Sequence, residues 1–564
     1  MVWKRRKKRH SVHELNPDEI LLDVHNLPQF DMQQFEGRME RPIAKQALRV
    51  MLASMVCIAL FFIGRLGYLQ IVQAAHYKTK SEQNSLDHIA LFADRGVIYD
   101  RSGVELGWNA VGATPDAMTV RQYISSGGFA SLLGYVSYPA HDNNGKLWQT
   151  RITGKDGIEE QFDTLLAGKN GTKIIETNVS GEITSESTIV DPERGENLSL
   201  SIDARVQEAL YEGIRALAEK SGYNGGAGAV MDIATGELYA MTSFPQYDQS
   251  ILSLGADTAT INEYVHGSGK VFLNRMTEAL YTPGSIVKPF LALAALQEGV
   301  IDSNKVLHTT GELRIPNPYN PGQFTIFRDN ADHGDVDMRK AIAVSSNVYF
   351  YQIGGGFGTQ KGLGITNIEK YAKLFGIGEK TGSNFGRELS GVVPSVAWKK
   401  KTFPSDSLWR IGDTYNTSIG QYGFHVTPMS MLRAVSGIAS RGTLVTPTIL
   451  KNLDGTVISK KTLPFSDMQY DVIFDAMKMT VTEGTAGAFI NSEMSVAAKT
   501  GTAQIKSNTR VNSCAIGFFP ADNPRFAFTV IMEDGPRVSS GATHAMKPVI
   551  ELFASTPELL GQAD

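Results

Sequence analysis

Residues 281–290 read YTPGSIVKPF. Ser285 follows a Pro-Gly turn signal and precedes an apolar helical run; Lys288 stands three residues on. At the start of a helix the two side chains share one face. A serine hydroxyl is a weak nucleophile until a base takes its proton. A lysine is that base only when neutral, a state favoured by burial or by a second nearby cation. The helix N-terminus also turns backbone N–H groups toward developing negative charge, and Pro289 falls in the first turn, where its missing amide hydrogen costs little. The pair alone decides nothing, because about two or three S-x-x-K matches are expected by chance in such a chain. The bland reading is an ordinary helix start with a solvated lysine.

A second cation is available in SVAAKTGTAQ, 495–504. An apolar strand runs into Lys499, Thr500, Gly501 and Thr502. Small residues and hydroxyls at this spacing let a strand edge lie against a peptide-like substrate. Thr500 and Thr502 can hydrogen-bond a carboxylate, and Lys499 adds positive charge. KTG also occurs at 380–382. That copy follows a helix end in a glycine-rich loop with no strand before it, so it reads as a structural turn. The third candidate is AIAVSSNVYFYQ, 341–352, an apolar helical segment expected to carry Ser345 and Asn347. By themselves these read as two satisfied polar residues in a helix.

The 564 residues suggest two or three folded domains with tails. Charge is ordinary and the net value is −4, so nothing points to nucleic acid. Cys57 and Cys514 are not expected to pair, and no metal-type cysteine spacing occurs. A basic block, KRRKKRH, occupies 4–10, and a short apolar cluster, ILLDV, 20–24. Residues 50–64 are uncharged and LGYLQIV continues to Val72. With Arg65 snorkelling, this is one membrane anchor with its N-terminus in the cytoplasm. The expected division is a tail at 1–46, the anchor at 47–72, a strand-rich region at 73–200 and a larger domain at 201–564.

The large domain opens with SLSIDARVQEALYEGIRALAEK: a strand LSI, Asp203 as N-cap, then an amphipathic helix. GAVMDIATGELYAMTS reads as a hairpin around Gly236, and SCAIGFFPADNPRFAFTVIMED repeats that logic. PFLALAALQEG and PMSMLRAVSGIA are helical segments between them. Strands at both ends with helices between predict an α+β fold, an antiparallel sheet with helices packed on it.

S-x-x-K, S-x-N and K-T-G-T, in that order inside one domain, resemble the penicillin-binding transpeptidases and their serine β-lactamase relatives. RGVIYDRSGVELG at 95–107 and GKDGIEEQFDTLLAGKNG at 154–171 resemble the pedestal (dimerisation) domain of class B penicillin-binding proteins. HGDVDMRKAIAVSSNVYFYQIG, YAKLFGIGEKTG, GVVPSVAWK and GDTYNTSIGQYGFHVTPMSM are similar to the elongation-type, penicillin-binding protein 2 group. Met429-Ser430 departs from that group's usual Leu-Gln, and Ser346 stands where some members carry cysteine.

The resemblance implies a peptidoglycan D,D-transpeptidase of cell-wall elongation that also binds β-lactams covalently. It implies Ser285 as the nucleophile on the penultimate D-Ala of a stem peptide, with Lys288 as base. Ser345 relays a proton to the leaving amine, and Asn347 and Lys499 complete the network. Thr500, Gly501 and Thr502 bind substrate, and the N–H groups of Ser285 and Thr502 form the oxyanion hole. The implied partner is a SEDS glycosyltransferase of the RodA type within an elongation complex, at the inner membrane with the catalytic domain outside the cytoplasm. No metal or organic cofactor is implied. Four alternatives compete: a division-type class B enzyme, a β-lactamase or carboxypeptidase, a non-catalytic β-lactam sensor or scaffold, and a bifunctional class A enzyme. The hydrolases of class A position water with Glu-x-x-x-Asn, but Glu388 is followed four residues on by Val392. A sensor needs a signalling domain, for which 46 N-terminal residues are too few. A bifunctional class A enzyme needs another catalytic domain of roughly 100 residues or more, for which there is no room.

Overall fold

The computed structural model describes residues 45–78, 86–111, 118–141, 147–177, 183–317, 320, 322–452, 457, 459–505, 509–538 and 541–561. The basic block at 4–10 and the ILLDV cluster at 20–24 lie outside the described residues.

Lys45–Gly67 is an α-helix, continued by a π-helical turn at Tyr68–Val72. It begins two residues before the expected anchor. At 1.5 Å per residue these 28 residues span about 42 Å, more than the ~30 Å hydrocarbon core of a bilayer. The helix is long and apolar enough to cross a membrane, and none of its residues is buried by protein. The Arg65 guanidinium lies 5.5 Å from the centroid of the Tyr68 ring, close to the apolar end it was expected to snorkel past. Cys57 on this helix is free and exposed, and Cys514 is free and buried.

The larger unit is built on a five-stranded antiparallel sheet: β1 (Gly225–Asp232), β2 (Leu238–Phe244), β3 (Ala497–Ile505), β4 (Arg510–Phe519) and β5 (Phe526–Pro536), in the order β2-β1-β5-β4-β3. Both predicted hairpins are present. Side chains on a strand alternate between faces, and the two faces carry separate cores. Phe526, Phe528, Val530 and Met532 join one, under the helices Ala204–Ser221 and Ala542–Ser555. Ala527 and Ile531 join the other, with the helices Lys288–Gln297 and Pro428–Ala439. Lys288–Gln297 is buried on nearly every side, as expected for a helix apolar all round. Strand β3 is left at the edge of the sheet.

Asp203 caps the Ala204–Ser221 helix as predicted, accepting the Arg205 N–H at 3.0 Å. The strand before it differs. LSI was expected to be the strand, but the paired residues are Leu198–Ser199, running parallel to Ile98–Tyr99. Ser201 is already tied to the large domain: its N–H donates to Ile449 and its hydroxyl to Leu238 and Thr448.

The RGVIYDR and GIE motifs meet in one buried cluster. Glu159 accepts from Arg95 Nε at 2.5 Å and from Arg121 Nε at 2.7 Å, with all three side chains at 1% exposure or less. Asp100 accepts the N–H groups of Ser102 and Val104 and reaches Ala204 N at 3.2 Å. Arg101 donates to Ser201 O at 3.0 Å, and its guanidinium stands 3.6 Å over the Tyr239 ring. The motif therefore couples residues 95–101 to the edge of the main sheet. Removing the shared carboxylate leaves the buried Arg121 without its ion pair and Arg95 with Asp163 alone, at 2.7 Å. Glu159→Ala is expected to cost about 3–5 kcal/mol of stability, read as a fall in the denaturant midpoint; a loss under about 1 kcal/mol contradicts this account.

Candidate active site

Ser285 sits in a 3₁₀ turn, Gly284–Val287, and the α-helix begins only at Lys288. The serine, expected at or near the helix start, lies in the turn that runs directly into the helix. Two glycines explain how tightly the turn is held. Gly420 has φ +75°, and a Cβ there would lie 2.2 Å from Gly284 O. A Cβ on Gly501 would lie 2.8 Å from Pro283 O. The glycine of K-T-G is thus required where edge strand β3 runs against the turn bearing Ser285.

The S-x-N segment is not one helix, as the sequence suggested, but two. Met338–Ala343 ends at Val344, and Asn347–Gly355 begins with Ser346 as its N-cap. Between them Ser345 adopts φ +62°, a left-handed conformation that costs roughly 1–2 kcal/mol for a residue with a Cβ. The cause is Asp329, which the sequence reasoning missed. Its carboxylate is fully buried and accepts from Ser346 Oγ at 2.7 Å, Asn347 N at 2.7 Å and Val348 N at 2.9 Å. Three donors converge on one charge at the start of the second helix, where negative charge is favoured. Two adjacent N-capping residue types inside an apolar run were the available signal for the break.

The break brings Ser345 between two buried lysines. Lys288 Nζ donates to Ser345 O at 2.7 Å and Asn347 Oδ1 at 2.8 Å, and lies 3.3 Å from Ser345 Oγ. Lys499 Nζ donates to Thr500 O at 2.7 Å and Ser345 Oγ at 3.0 Å. Both lysines are fully buried. Burial pushes the Lys288 amine down to about 7, partly countered by the Asp329 carboxylate. Burial, then the charge of Lys288, holds Lys499 well below the ordinary lysine range. A neutral amine has two hydrogens and one lone pair. The two short bonds of Lys288 account for both hydrogens, and Ser345 Oγ at 3.3 Å is its third polar neighbour.

Ser285, Ser345, Asn347, Thr500, Gly501 and Thr502 all line one cleft of about 1120 Å³. The predicted site residues therefore come together, with Lys288 and Lys499 buried beside Ser345. The second KTG is elsewhere, as expected. Thr381 donates its N–H at 2.9 Å and its hydroxyl at 3.1 Å to the Glu388 carboxylate, and Gly382 has φ +77° in a loop. Glu388 is thus occupied as a turn anchor. Among the described residues no cluster of three or more His, Cys, Asp or Glu side chains is placed to hold a metal ion.

Asp329→Asn removes the charge that partly counters desolvation of Lys288. The Lys288 titration midpoint is expected to fall further below about 7, followed by NMR of ¹³C-labelled lysine, and the weakened cap to cost about 1–2 kcal/mol. A midpoint that rises contradicts the assignment of Asp329 as the favourable charge.

The penicillin binding protein transpeptidase domain model matches residues 226–551, and the penicillin-binding protein dimerisation domain model matches 109–200. The peptidoglycan D,D-transpeptidase MrdA of Acinetobacter baumannii is 29% identical over 482 residues, covering 80% of this chain and 68% of that protein. The crystal structure of Pseudomonas aeruginosa PBP2 is 28% identical with a TM-score of 0.68, covering 85% of this chain and 98% of that one. PBP2 in a complex with MreC from Helicobacter pylori is 25% identical with a TM-score of 0.67, covering 85% and 99%.

Proposed function

The chain belongs to the penicillin-binding protein transpeptidase family, as a class B member of the elongation type, and we propose that its chemistry runs through Ser285 as nucleophile and Lys288 as base. It is a peptidoglycan D,D-transpeptidase. In this assignment Ser285 Oγ attacks the penultimate D-Ala carbonyl of a stem peptide while Lys288 takes its proton. The N–H groups of Ser285 and Thr502 hold the tetrahedral oxyanion, each worth about a hundredfold to a thousandfold in rate. Ser345, between the two amines, passes the proton to the departing terminal D-Ala, and Asn347 and Lys499 fix its position. Thr500 and Thr502, with Gly501 giving close approach, hold the terminal carboxylate. The free amine of a second stem peptide then displaces Ser285 from the acyl-enzyme and forms a 4→3 cross-link.

The observation that carries this assignment is the Lys288 amine. It is fully buried, pushed down to about 7 by that burial, and held by short bonds to Ser345 O and Asn347 Oδ1 with Ser345 Oγ at 3.3 Å. The absence of the Glu-x-x-x-Asn pattern after Ser345, with Glu388 tied to Thr381, supports transfer over hydrolysis.

We further assign residues 1–46 as a cytoplasmic tail, 47–72 as the anchor, 73–200 as the pedestal and 201–564 as the transpeptidase domain. The chain is membrane-anchored, with the catalytic domain on the periplasmic side. The basic residues before the anchor support that orientation. The relative that was solved with MreC supports a partner of that kind within an elongation complex that also holds a RodA-type SEDS glycosyltransferase. Covalent capture of β-lactams follows from the same serine.

The sign of the pH dependence follows from the base. Below about 7 the Lys288 amine is protonated and cannot take the serine proton; above it the amine is free. The second-order rate of acylation by a penicillin is expected to fall about tenfold per pH unit below about 7 and to level off above it. A limb with its midpoint near 10 would mean a lysine with an ordinary pKa and would exclude Lys288 as the base.

A further inference from the structure

Transfer between two peptides needs two peptide sites, and the cleft has two walls. One is the free edge of β3 with Thr500 and Thr502, which suits an extended donor peptide. The other is formed by Arg328, Tyr351, Asn416 and Tyr422, none of which the donor chemistry uses. Resting on the transpeptidase assignment above, we infer that this second wall binds the acceptor stem peptide and that the ring of Tyr422 is its principal contact.

Tyr422 is the unusual residue of that wall. Its φ is +61°, a left-handed conformation disfavoured for any residue with a Cβ and least expected of a bulky aromatic. Such conformations persist only where the surroundings hold them, and they concentrate at ligand sites. The surroundings here are built for it. The ring packs against Trp398 at 5.7 Å, Trp409 at 5.8 Å and Phe403 at 6.5 Å between centroids. Beside the ring lies the Lys399 amine, 5.6 Å from its centroid and paired with Asp413 at 2.6 Å. Trp409 Nε1 donates to Thr414 Oγ1 at 2.8 Å, fixing the outer ring. The aromatic side chain is therefore held at the cleft by three neighbouring rings and the Lys399–Asp413 pair beside it, so the ring is placed before any ligand arrives.

The remaining groups fit a peptide that carries an amine and a carboxylate. Asn416 offers an amide, and the Arg328 guanidinium is 76% exposed with its nearest carboxylate, Glu312, 3.7 Å away. Asp329 is the acidic residue among the described residues lining the cleft, and its carboxylate is already engaged by the S-x-N helix. The amine bound on this wall adds to the acyl-Ser285 carbonyl. The C–N bond forms as the C–Oγ bond breaks, and the amine's proton returns to Ser285 Oγ through the Lys288–Ser345 pair.

The test reads how the acyl-enzyme partitions. The donor is a pentapeptide stem ending in D-Ala-D-Ala with its side-chain amine acetylated. The acceptors are tetrapeptide stems with a free side-chain amine on the third residue, in lysine and meso-diaminopimelate forms. Cross-linked dimer and hydrolysed donor are quantified by mass spectrometry. Tyr422→Gly keeps the backbone, because glycine adopts this φ without strain, but removes the ring. Its dimer-to-hydrolysis ratio is expected to fall about tenfold, and Tyr422→Phe is expected to keep the wild-type ratio. An unchanged ratio in Tyr422→Gly overturns the inference. So does a Tyr422→Phe ratio as low as that of Tyr422→Gly, or a wild type that transfers to neither acceptor. Labelling of the wild type by a fluorescent penicillin reads the nucleophile separately: its failure sinks the transpeptidase assignment, whereas intact labelling with an unchanged ratio sinks only the acceptor wall.

Discussion

The site depends on removing two ammonium groups from water and setting them on either side of one hydroxyl. Lys288 and Lys499 are both fully buried and both reach Ser345 Oγ. Two cations cannot share so small a dry space without a large penalty, so at least one is neutral near pH 7. Much of the surrounding architecture serves this placement. The Lys288–Gln297 helix is buried nearly all round, so its first residue is carried into the core. Edge strand β3 presents Lys499 inward while Thr500, Gly501 and Thr502 line the cleft. The Asp329 carboxylate, bonded to the start of the second helix, partly counters the effect of burial on Lys288.

Backbone conformation does as much here as side-chain chemistry. Two chain segments converge on the serine turn, and glycine stands where they touch it, at Gly420 and Gly501 and at Gly284 in the turn itself. Two non-glycine residues at the cleft, Ser345 and Tyr422, hold left-handed conformations. Each has its own support. Ser345 is held by the carboxylate that starts the next helix, and Tyr422 by a shell of rings and the adjacent Lys399–Asp413 ion pair. Strain of this kind persists because several independent contacts over-determine the geometry. Away from the cleft, the Arg95–Glu159–Arg121 cluster and Arg101 explain why the pedestal motifs are spaced as they are.

Much of this was legible in the amino acids. The alternating strands around Gly236 and the Pro-Ala-Asp-Asn-Pro turn and the Asp203 cap led to the sheet and its helices, and the ordered S-x-x-K, S-x-N and K-T-G-T elements led to residues that the fold gathers at one cleft. The second KTG was separable from the first by its context alone. What was not legible came from tertiary contact. The helix break at Ser345 is imposed by Asp329, which lies sixteen positions before Ser345 in sequence and is set against it only by folding. The apolar periodicity of 341–352 continues across the break and conceals it. The strand at 198–199 stops short because Ser201 bonds to the main sheet, a competition no local pattern records. The role of Tyr422 depends on rings at 398, 403 and 409 that meet only in three dimensions.

The most direct test of the central claim is to map the covalent penicillin adduct by peptide mass spectrometry. The adduct is expected on the peptide that contains Ser285, persisting over many minutes in the wild type and absent in Ser285→Ala. An adduct on any other serine, or one that survives Ser285→Ala, would contradict the assignment of the nucleophile and with it the account of the two lysines.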